Sequence, residues 1–254
     1  MWRNKSSKNK FMRTIRLDIE YDGTDFAGWQ RQSGTIPTVQ GTIEKLLSQI
    51  TQEEVLLNGA GRTDKGVHAR QQVASCALHS SMELSRLAHS LNCLLPPTIR
   101  ICNAVHVTDD FHARFSATER TYRYFVSETP SALCNRFTGC ANALLDVGVM
   151  QQMAAMVVGE HDFTAFSREE RDSPAKRCKV TSCRWHRLHG MVVLQISANR
   201  FLRSMVRYLV HAMLQGGKGR LAPTLFQDMV ESGTSSYRMV AAPASGLFLW
   251  RIGY

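Results

Sequence analysis

A glycine-rich segment of the chain places one carboxylate between two cations. Residues 59–69 read Gly-Ala-Gly-Arg-Thr-Asp-Lys-Gly-Val-His-Ala, so that Arg62 and Lys65 flank Asp64. Glycines allow tight turns and close approach of the backbone to a ligand. The segment lacks the spacing in which a lysine and a hydroxyl follow the second glycine of a phosphate-binding loop, which argues against a nucleoside triphosphate. It is either a ligand-binding loop with an acid at its centre or a loop with a solvated salt bridge.

A second cluster mixes cations with aromatic residues. Residues 111–117 read Phe-His-Ala-Arg-Phe-Ser-Ala, and the next strand carries Arg120, Tyr122 and Tyr124. Guanidinium groups such as those of Arg114 and Arg120 bind phosphates, while aromatic rings stack on unpaired bases, so the cluster suits RNA. The alternative is a pair of core tyrosines beside solvated arginines.

The third cluster is a predicted amphipathic helix that opens at Asn199 and covers residues 201–215. Its apolar stripe leaves four basic side chains at intervals of three and four residues, which predicts that they share one face: Arg200, Arg203, Arg207 and His211. Such a face belongs either to an ordinary surface helix or to a wall of a cleft, where one arginine pairs with Asp64.

Hydrophobic periodicity predicts the elements that position these clusters. In the first half, strand and helix patterns follow one another as β-α-β-β-α-β, and they are predicted at residues 14–21, 39–50, 55–57, 72–78, 84–94 and 99–107. Thr38 is the predicted N-cap of the first helix. The second half repeats this order loosely, with elements predicted at residues 120–126, 146–158, 180–188, 191–198, 201–215, from 223 and at 247–252. A tight turn is expected at His189-Gly190.

These orders predict an α+β fold of two ferredoxin-like α/β halves, which join their antiparallel sheets around a positively charged cleft. We expect the halves at residues 12–110 and 111–254, after a flexible basic extension at residues 1–11. The start of translation is open between Met1 and Met12.

Composition narrows the classes of partner. The 254 residues are 44% hydrophobic, enough for a large core, and the formal net charge of +10 favours polyanions such as nucleic acid. The seven cysteines include no C-x-x-C pair, so no zinc site is expected. We expect the cysteines to be reduced thiols in a protein of the cytoplasm. The first residues lack the apolar stretch of an export signal, and no segment is apolar for long enough to suggest a membrane span.

At the three clusters, the sequence resembles the TruA family of tRNA pseudouridine synthases. The match runs nearly end to end, and the stretch Gly-Arg-Thr-Asp-Lys-Gly-Val-His-Ala is its most specific part. Further matching segments lie at residues 21–30, 111–124, 162–166, 199–207 and 242–247. Departures are slight: Phe26 and Ala27 stand where the family often has Tyr and His, and Ala244-Ser245 where Pro-Glu is common.

The resemblance implies an enzyme that isomerises uridine to pseudouridine at positions 38, 39 and 40 in the anticodon stem-loop of tRNA. It implies a homodimer that uses no metal and no organic cofactor. By motif position, Asp64 would be the nucleophile, Arg207 its ionic partner and Tyr122 the ring that packs on the target base. Arg62 would enter the space that the flipped base leaves. We add Arg114, Arg120 and Arg203 as expected RNA contacts.

Two other functions compete with this interpretation. A non-catalytic RNA-binding protein could use the same halves, although the aromatic signature of an RNA-recognition motif is missing. A phosphate-handling hydrolase would need a metal site or a phosphate-binding loop, and the sequence shows no pattern for either. Whether Asp64 attacks covalently or stabilises a cleaved intermediate is open, as is the base that removes the C5 proton.

Overall fold

The N-terminal half has the predicted β-α-β-β-α-β order. In the computed structural model, which describes residues 12–168, 176–235 and 237–254, its elements are β1 (Arg13–Tyr21), α1 (Val39–Thr51), β2 (Asn58–Gly59), β3 (His68–Leu78), α2 (Leu84–Leu94) and β4 (Ile99–His106). Thr38 caps α1 as predicted, because its Oγ accepts the N–H of Gly41 at 3.2 Å. The extension predicted at residues 1–11 lies outside the described residues.

The position predicted for the short second strand, near residues 55–57, is wrong, since β2 begins only at Asn58. Side chains of α1 occupy the backbone groups that a strand would pair. The N–H of Leu57 donates to Glu44 at 2.8 Å, and the carbonyl of Leu57 accepts from Gln40 at 3.0 Å. The short apolar run Val55-Leu56-Leu57 therefore reflects packing against a helix, with Val55 and Leu57 buried and Leu56 53% exposed.

The described residues of the C-terminal half form three α-helices and six strands. Its elements are β5 (Glu119–Ser127), β6 (Gly139–Cys140), α3 (Val147–Met156), β7 (Gly159–Asp162), β8 (Arg177–Leu188), β9 (Met191–Ala198), α4 (Met205–Gly217), α5 (Pro223–Ser232) and β10 (Leu247–Gly253). The tight turn between β8 and β9 is confirmed, because His189 and Gly190 both adopt positive φ, 46° and 76°.

Helix α4 starts later than predicted. Ser204 has φ 58° and ψ 7°, a left-handed conformation that cannot be part of a right-handed helix, so α4 begins at Met205. Arg200 and Arg203 therefore precede the helix, and only Arg207 and His211 lie on it. The predicted basic helix face with four members is wrong.

The ten strands of the described residues join one sheet in the order β4-β1-β3-β10-β5-β9-β8-β7, with β2 beside β3 and β6 beside β5. Within each half, four strands follow the antiparallel ferredoxin-like order, β4-β1-β3-β2 in the first and β10-β5-β9-β8 in the second. The halves meet where β3 and β10 run parallel. The predicted α+β class with a joined sheet is confirmed, while the boundary at residue 110 stays a prediction.

The core lies between the sheet and the helices. Alternate residues of β1 are fully buried, Ile15, Leu17 and Ile19 among them. Helix α3 buries Met150 and Met153 completely, as its periodicity predicts. Within the described ranges, no helix is both long and apolar enough to cross a membrane.

Candidate active site

The three sequence clusters line one open cleft of about 1900 Å³. This exceeds the roughly 300–1,000 Å³ that is usual for pockets that bind small molecules. Its lining includes two acids, Glu44 and Asp64, and ten basic residues: Arg31, Arg62, Lys65, Arg114, Arg120, Arg168, Lys176, Arg200, Arg203 and Arg207. The shape and the excess of cations suit a large anionic ligand.

Asp64 lies on the loop between β2 and β3, and two donors from the other half of the chain hold its carboxylate. Ser204 Oγ donates to Asp64 Oδ2 at 2.6 Å, and Arg207 Nη1 lies 3.2 Å from the same oxygen. The side chains of Asp64 and Arg207 are 28% and 18% exposed. The pairing of Asp64 with an arginine, left open by the sequence, is thus observed.

The loop that carries Asp64 is fixed by close backbone packing. The carbonyl of Thr63 accepts the N–H of Trp29 at 3.1 Å, and its hydroxyl lies 2.8 Å from that of Tyr21. Gly28 has φ 104°, and a Cβ there would lie 2.6 Å from the carbonyl oxygen of Thr63. Only glycine allows this approach. The glycine at position 28 therefore belongs to the support of the site.

Arg207 is held in place by the chain just before β10. Its Nε donates to the carbonyl of Ala242 at 2.7 Å, and the N–H of Ala242 donates back to the carbonyl of Arg207 at 3.1 Å. The next carbonyl, of Pro243, accepts from the hydroxyl of Tyr124 at 3.0 Å. These contacts turn the guanidinium of Arg207 toward Asp64.

Tyr122 lies in the same cleft on β5, with 8% of its surface exposed. Its ring meets Phe201 edge to face, with 5.2 Å between the centroids. Burial, reinforced by the negative charge of Asp64, raises the pKa of Tyr122 well above its usual value. The phenol is therefore protonated at neutral pH.

Arg120 makes contacts that its sequence position does not predict. Its two terminal nitrogens donate to four main-chain carbonyls: Ala60 at 3.1 Å, Arg114 at 2.6 Å, Ala117 at 2.8 Å and Asn199 at 2.9 Å. The guanidinium thus joins the loop of Asp64, the segment 111–117 and the segment before α4. The donors of both terminal nitrogens are used within the protein.

The other predicted RNA contacts lie at the rim of the cleft. Arg62, Arg114 and Arg203 are all exposed, and each lines the cleft. The guanidinium of Arg114 lies 5.6 Å from the ring centroid of Phe115. Thus the structure gathers into one cleft all the residues that the sequence proposed for the site.

Comparison with known proteins assigns the chain to a family. The family model described as tRNA pseudouridine synthase matches residues 19–116 and 153–254. Relatives named tRNA pseudouridine synthase A occur in Pelodictyon phaeoclathratiforme, 58% identical over 96% of this chain and 100% of the relative, and in Chlorobaculum tepidum, 54% identical over 95% and 98%. A more distant one, from Roseiflexus castenholzii, is 40% identical over 96% and 91%.

The chain belongs to the TruA family of tRNA pseudouridine synthases. Members of this family isomerise uridine to pseudouridine in tRNA, so the predicted family and enzyme class are confirmed. The matched ranges contain Asp64 and Arg207 but not Tyr122. The roles of individual residues stay predictions.

Two residues that support the TruA-type site, Ser204 and Ala242, are not predicted by the sequence. Ser204 lies in the matching segment 199–207 without an assigned role, yet it donates the shorter of the two hydrogen bonds to the Asp64 carboxylate. Ala242 also matched without an assigned role, although its carbonyl and N–H both hold Arg207. A serine just before a helix is usually interpreted as a cap, and the main-chain groups of an alanine carry no sequence signal.

Proposed function

We propose that this chain isomerises uridine to pseudouridine at positions 38, 39 and 40 in the anticodon stem-loop of tRNA, with Asp64 as the nucleophile. The observation that carries the proposal is the Asp64 carboxylate, held by Ser204 and Arg207 in the same cleft as Tyr122. Family membership supports the reaction and the tRNA substrate.

The chemistry breaks one bond and forms another at the target nucleotide. The uracil leaves C1′ of the ribose, rotates and returns through C5. C5 then loses its proton and N1, released from C1′, gains one, so that the product is an isomer of the substrate. A carboxylate can attack covalently or stabilise the cleaved intermediate, and both routes use an oriented, negatively charged group. Both hydrogen bonds that the described residues make to the Asp64 carboxylate are at Oδ2, so we assign the reaction to Oδ1.

The neighbouring side chains have distinct roles in this proposal. Arg207 supplies a compensating positive charge beside Asp64, and Tyr122 stacks on the target base once it has left the helix. Base flipping costs a few kcal/mol, which stacking and phosphate contacts offset. Arg62, on the same loop as Asp64, enters the space that the base leaves.

The cations of the rim bind the phosphates of the RNA. Arg114 and Arg203 are exposed on the cleft and suit this role. Binding should weaken steeply as salt rises, because each phosphate contact releases counterions. Replacing either arginine by alanine should reduce the salt slope by roughly one. A flat salt dependence would contradict a positively charged cleft.

For Arg120 we revise the expected role. The sequence suggested a contact to RNA, but four carbonyls of the protein already accept its hydrogen bonds. We therefore propose that Arg120 acts on the substrate only indirectly, by joining the three segments that line the cleft.

The remaining expectations follow from the resemblance and, for the cytoplasm, from the cysteines. We propose a homodimer that acts in the cytoplasm without metal or organic cofactor. Light scattering on the purified protein measures its mass in solution, and a monomer at micromolar concentration would refute the dimer. Turnover should be insensitive to chelators.

The test is release of tritium from unmodified tRNA that is labelled at C5 of uracil. The wild type should release tritium, with product mapped to the anticodon stem-loop, whereas Asp64→Asn should bind the tRNA and release none. Asp110→Asn is the matched control, since Asp110 is exposed and does not line the cleft. Tight binding without release by the wild type would leave the non-catalytic RNA-binding function. Product from pure Asp64→Asn would exclude it as nucleophile.

A further inference from the structure

Phe115 is an aromatic side chain displayed at the cleft. It is 76% exposed, compared with 43% for Phe137 and 40% for Tyr254, and it lines the cleft that contains Asp64. A single exposed apolar side chain has no special meaning by itself. The rigidity and the neighbours of this residue are what point to a ligand.

The backbone on both sides of Phe115 is fixed by hydrogen bonds. At Ala113, the N–H donates to Ser75 Oγ at 3.1 Å and the carbonyl accepts from the hydroxyl of Tyr254 at 2.8 Å. Arg120 holds the carbonyls of Arg114 and Ala117. The segment is therefore tied to β3, to β5 and to the C-terminal residue. The backbone that carries the exposed ring therefore keeps its position without a ligand.

The side chains around the ring suit a nucleotide. The imidazole of His112 lies 4.4 Å from the ring of Phe115, and its Nδ1 accepts the N–H of Arg114 at 3.1 Å. The Arg114 guanidinium lies 5.6 Å from the same ring. A base needs a π-face to stack on, and the phosphate next to it needs a cation. Phe115 and Arg114 supply both in adjacent positions.

We propose that Phe115 is a stacking platform for an unpaired base that neighbours the target uridine, with Arg114 on the phosphate of that nucleotide. This site is distinct from Tyr122, which is 8% exposed and lies within the cleft. Preorganisation of the platform avoids the entropy loss of ordering a loop on binding. The inference rests on the proposed function in one respect, that the RNA enters this cleft.

The test is a coupling measurement on binding. Dissociation constants are measured for a tRNA transcript and for transcripts with one abasic nucleotide on either side of the target, using Phe115, Phe115→Ala and Phe115→Trp in an Asp64→Asn background. We expect Phe115→Ala to raise Kd by roughly 5- to 150-fold, the usual range for loss of one stacked base. Phe115→Trp should remain within about threefold of the parent, because any π-face serves.

One abasic transcript should bind the parent as weakly as the intact transcript binds Phe115→Ala, with no further loss when both changes are combined. Leu133→Ala is the control, since Leu133 is 92% exposed and lies outside the cleft lining. If Phe115→Ala lowers the melting temperature, the Kd of Phe115→Leu is used instead, because leucine keeps the apolar bulk but lacks the π-face. A raised Kd in Phe115→Leu then supports the platform, and an unchanged Kd contradicts it.

Three results overturn the platform. The first is an unchanged Kd for Phe115→Ala. The second is that the effects of Phe115→Ala and of every abasic site on Kd are independent of each other. The third is that Phe115→Ala changes the oligomeric mass without changing the Kd for RNA. The last would make Phe115 a contact between protein chains. Since the readout is Kd and not turnover, these results are separable from a failure of Asp64 as nucleophile.

Discussion

Ser204 offers the sharpest test of how the carboxylate is held, because its hydroxyl and its backbone conformation can be varied separately. Its Oγ donates to Asp64 Oδ2 at 2.6 Å, and its φ of 58° is left-handed. Ser204→Ala removes the hydroxyl and keeps a Cβ in this conformation. Ser204→Gly removes the same hydroxyl but adopts positive φ without strain. The two variants therefore share the loss of the hydroxyl and differ in the Cβ, which strains the left-handed backbone only in the alanine variant.

The size of the effect follows from the geometry. A hydrogen bond to a charged group contributes about 1.5–3 kcal/mol. The lower end applies here, because the Asp64 side chain is 28% exposed and water can replace the donor. A loss of about 1.5 kcal/mol corresponds to a roughly tenfold lower kcat in both variants. KM should change little, since the hydroxyl donates to Asp64 and not to the RNA.

Stability should separate the two variants. An L-residue with a Cβ in the left-handed region is disfavoured by about 1–2 kcal/mol, so we expect the alanine variant to be less stable than the glycine variant by about 1 kcal/mol. Urea titration gives the free energy of unfolding, and single-turnover tritium release gives the rate. Wild-type kcat in Ser204→Gly would refute the orienting role. A rate loss in the alanine variant alone would assign it to strain.

Three further outcomes are expected. Tyr122→Phe should retain most of the tRNA affinity and of the turnover, because the ring remains, whereas Tyr122→Ala should lose both; equal defects in gel-shift and tritium assays would show that the hydroxyl matters. Arg120→Lys should lower the unfolding free energy by roughly 2–4 kcal/mol, because one ammonium cannot replace a planar guanidinium that donates to four carbonyls. The salt slope of tRNA binding should stay unchanged in this variant. A slope reduced by about one would instead indicate that Arg120 contacts a phosphate. Burial lowers the pKa of His68 below its usual 6.5, so the unfolded chain binds the proton better than the folded chain does. Stability should therefore fall as pH drops below about 6.5. If the urea midpoint falls equally in His68→Gln, His68 is not the source of this pH dependence.

Much of the fold could be predicted from the sequence because local interactions determine it. The burial pattern of β1 matches its alternating sequence, and the cap at Thr38 and the turn at His189-Gly190 appear where their residue types predict. These features depend on interactions within a few residues, which hydrophobic periodicity and turn preferences report directly. Where a distant group intervened, the local pattern misled, as at Leu57, whose backbone groups bond to α1.

The start of α4 shows the same limit more strongly. Apolar periodicity through residues 201–215 indicates a helix, but Ser204 adopts a left-handed conformation and its hydroxyl bonds to Asp64, 140 residues earlier in the chain. Arg200 and Arg203 are thereby removed from the helix on which the pattern placed them. A contact over such a separation leaves no trace in local spacing.

By itself, the sequence determined the family, the α+β class of two related halves, and the loop on which Asp64 lies. Only the tertiary structure decided what surrounds that carboxylate: Ser204 and Arg207 on its Oδ2, Ala242 behind the arginine, and Arg120 joining three loops by their carbonyls. The physical reason is that residue types and periodicities record local conformation and burial. The partners of a hydrogen bond across the cleft are set by how the two halves of the sheet meet.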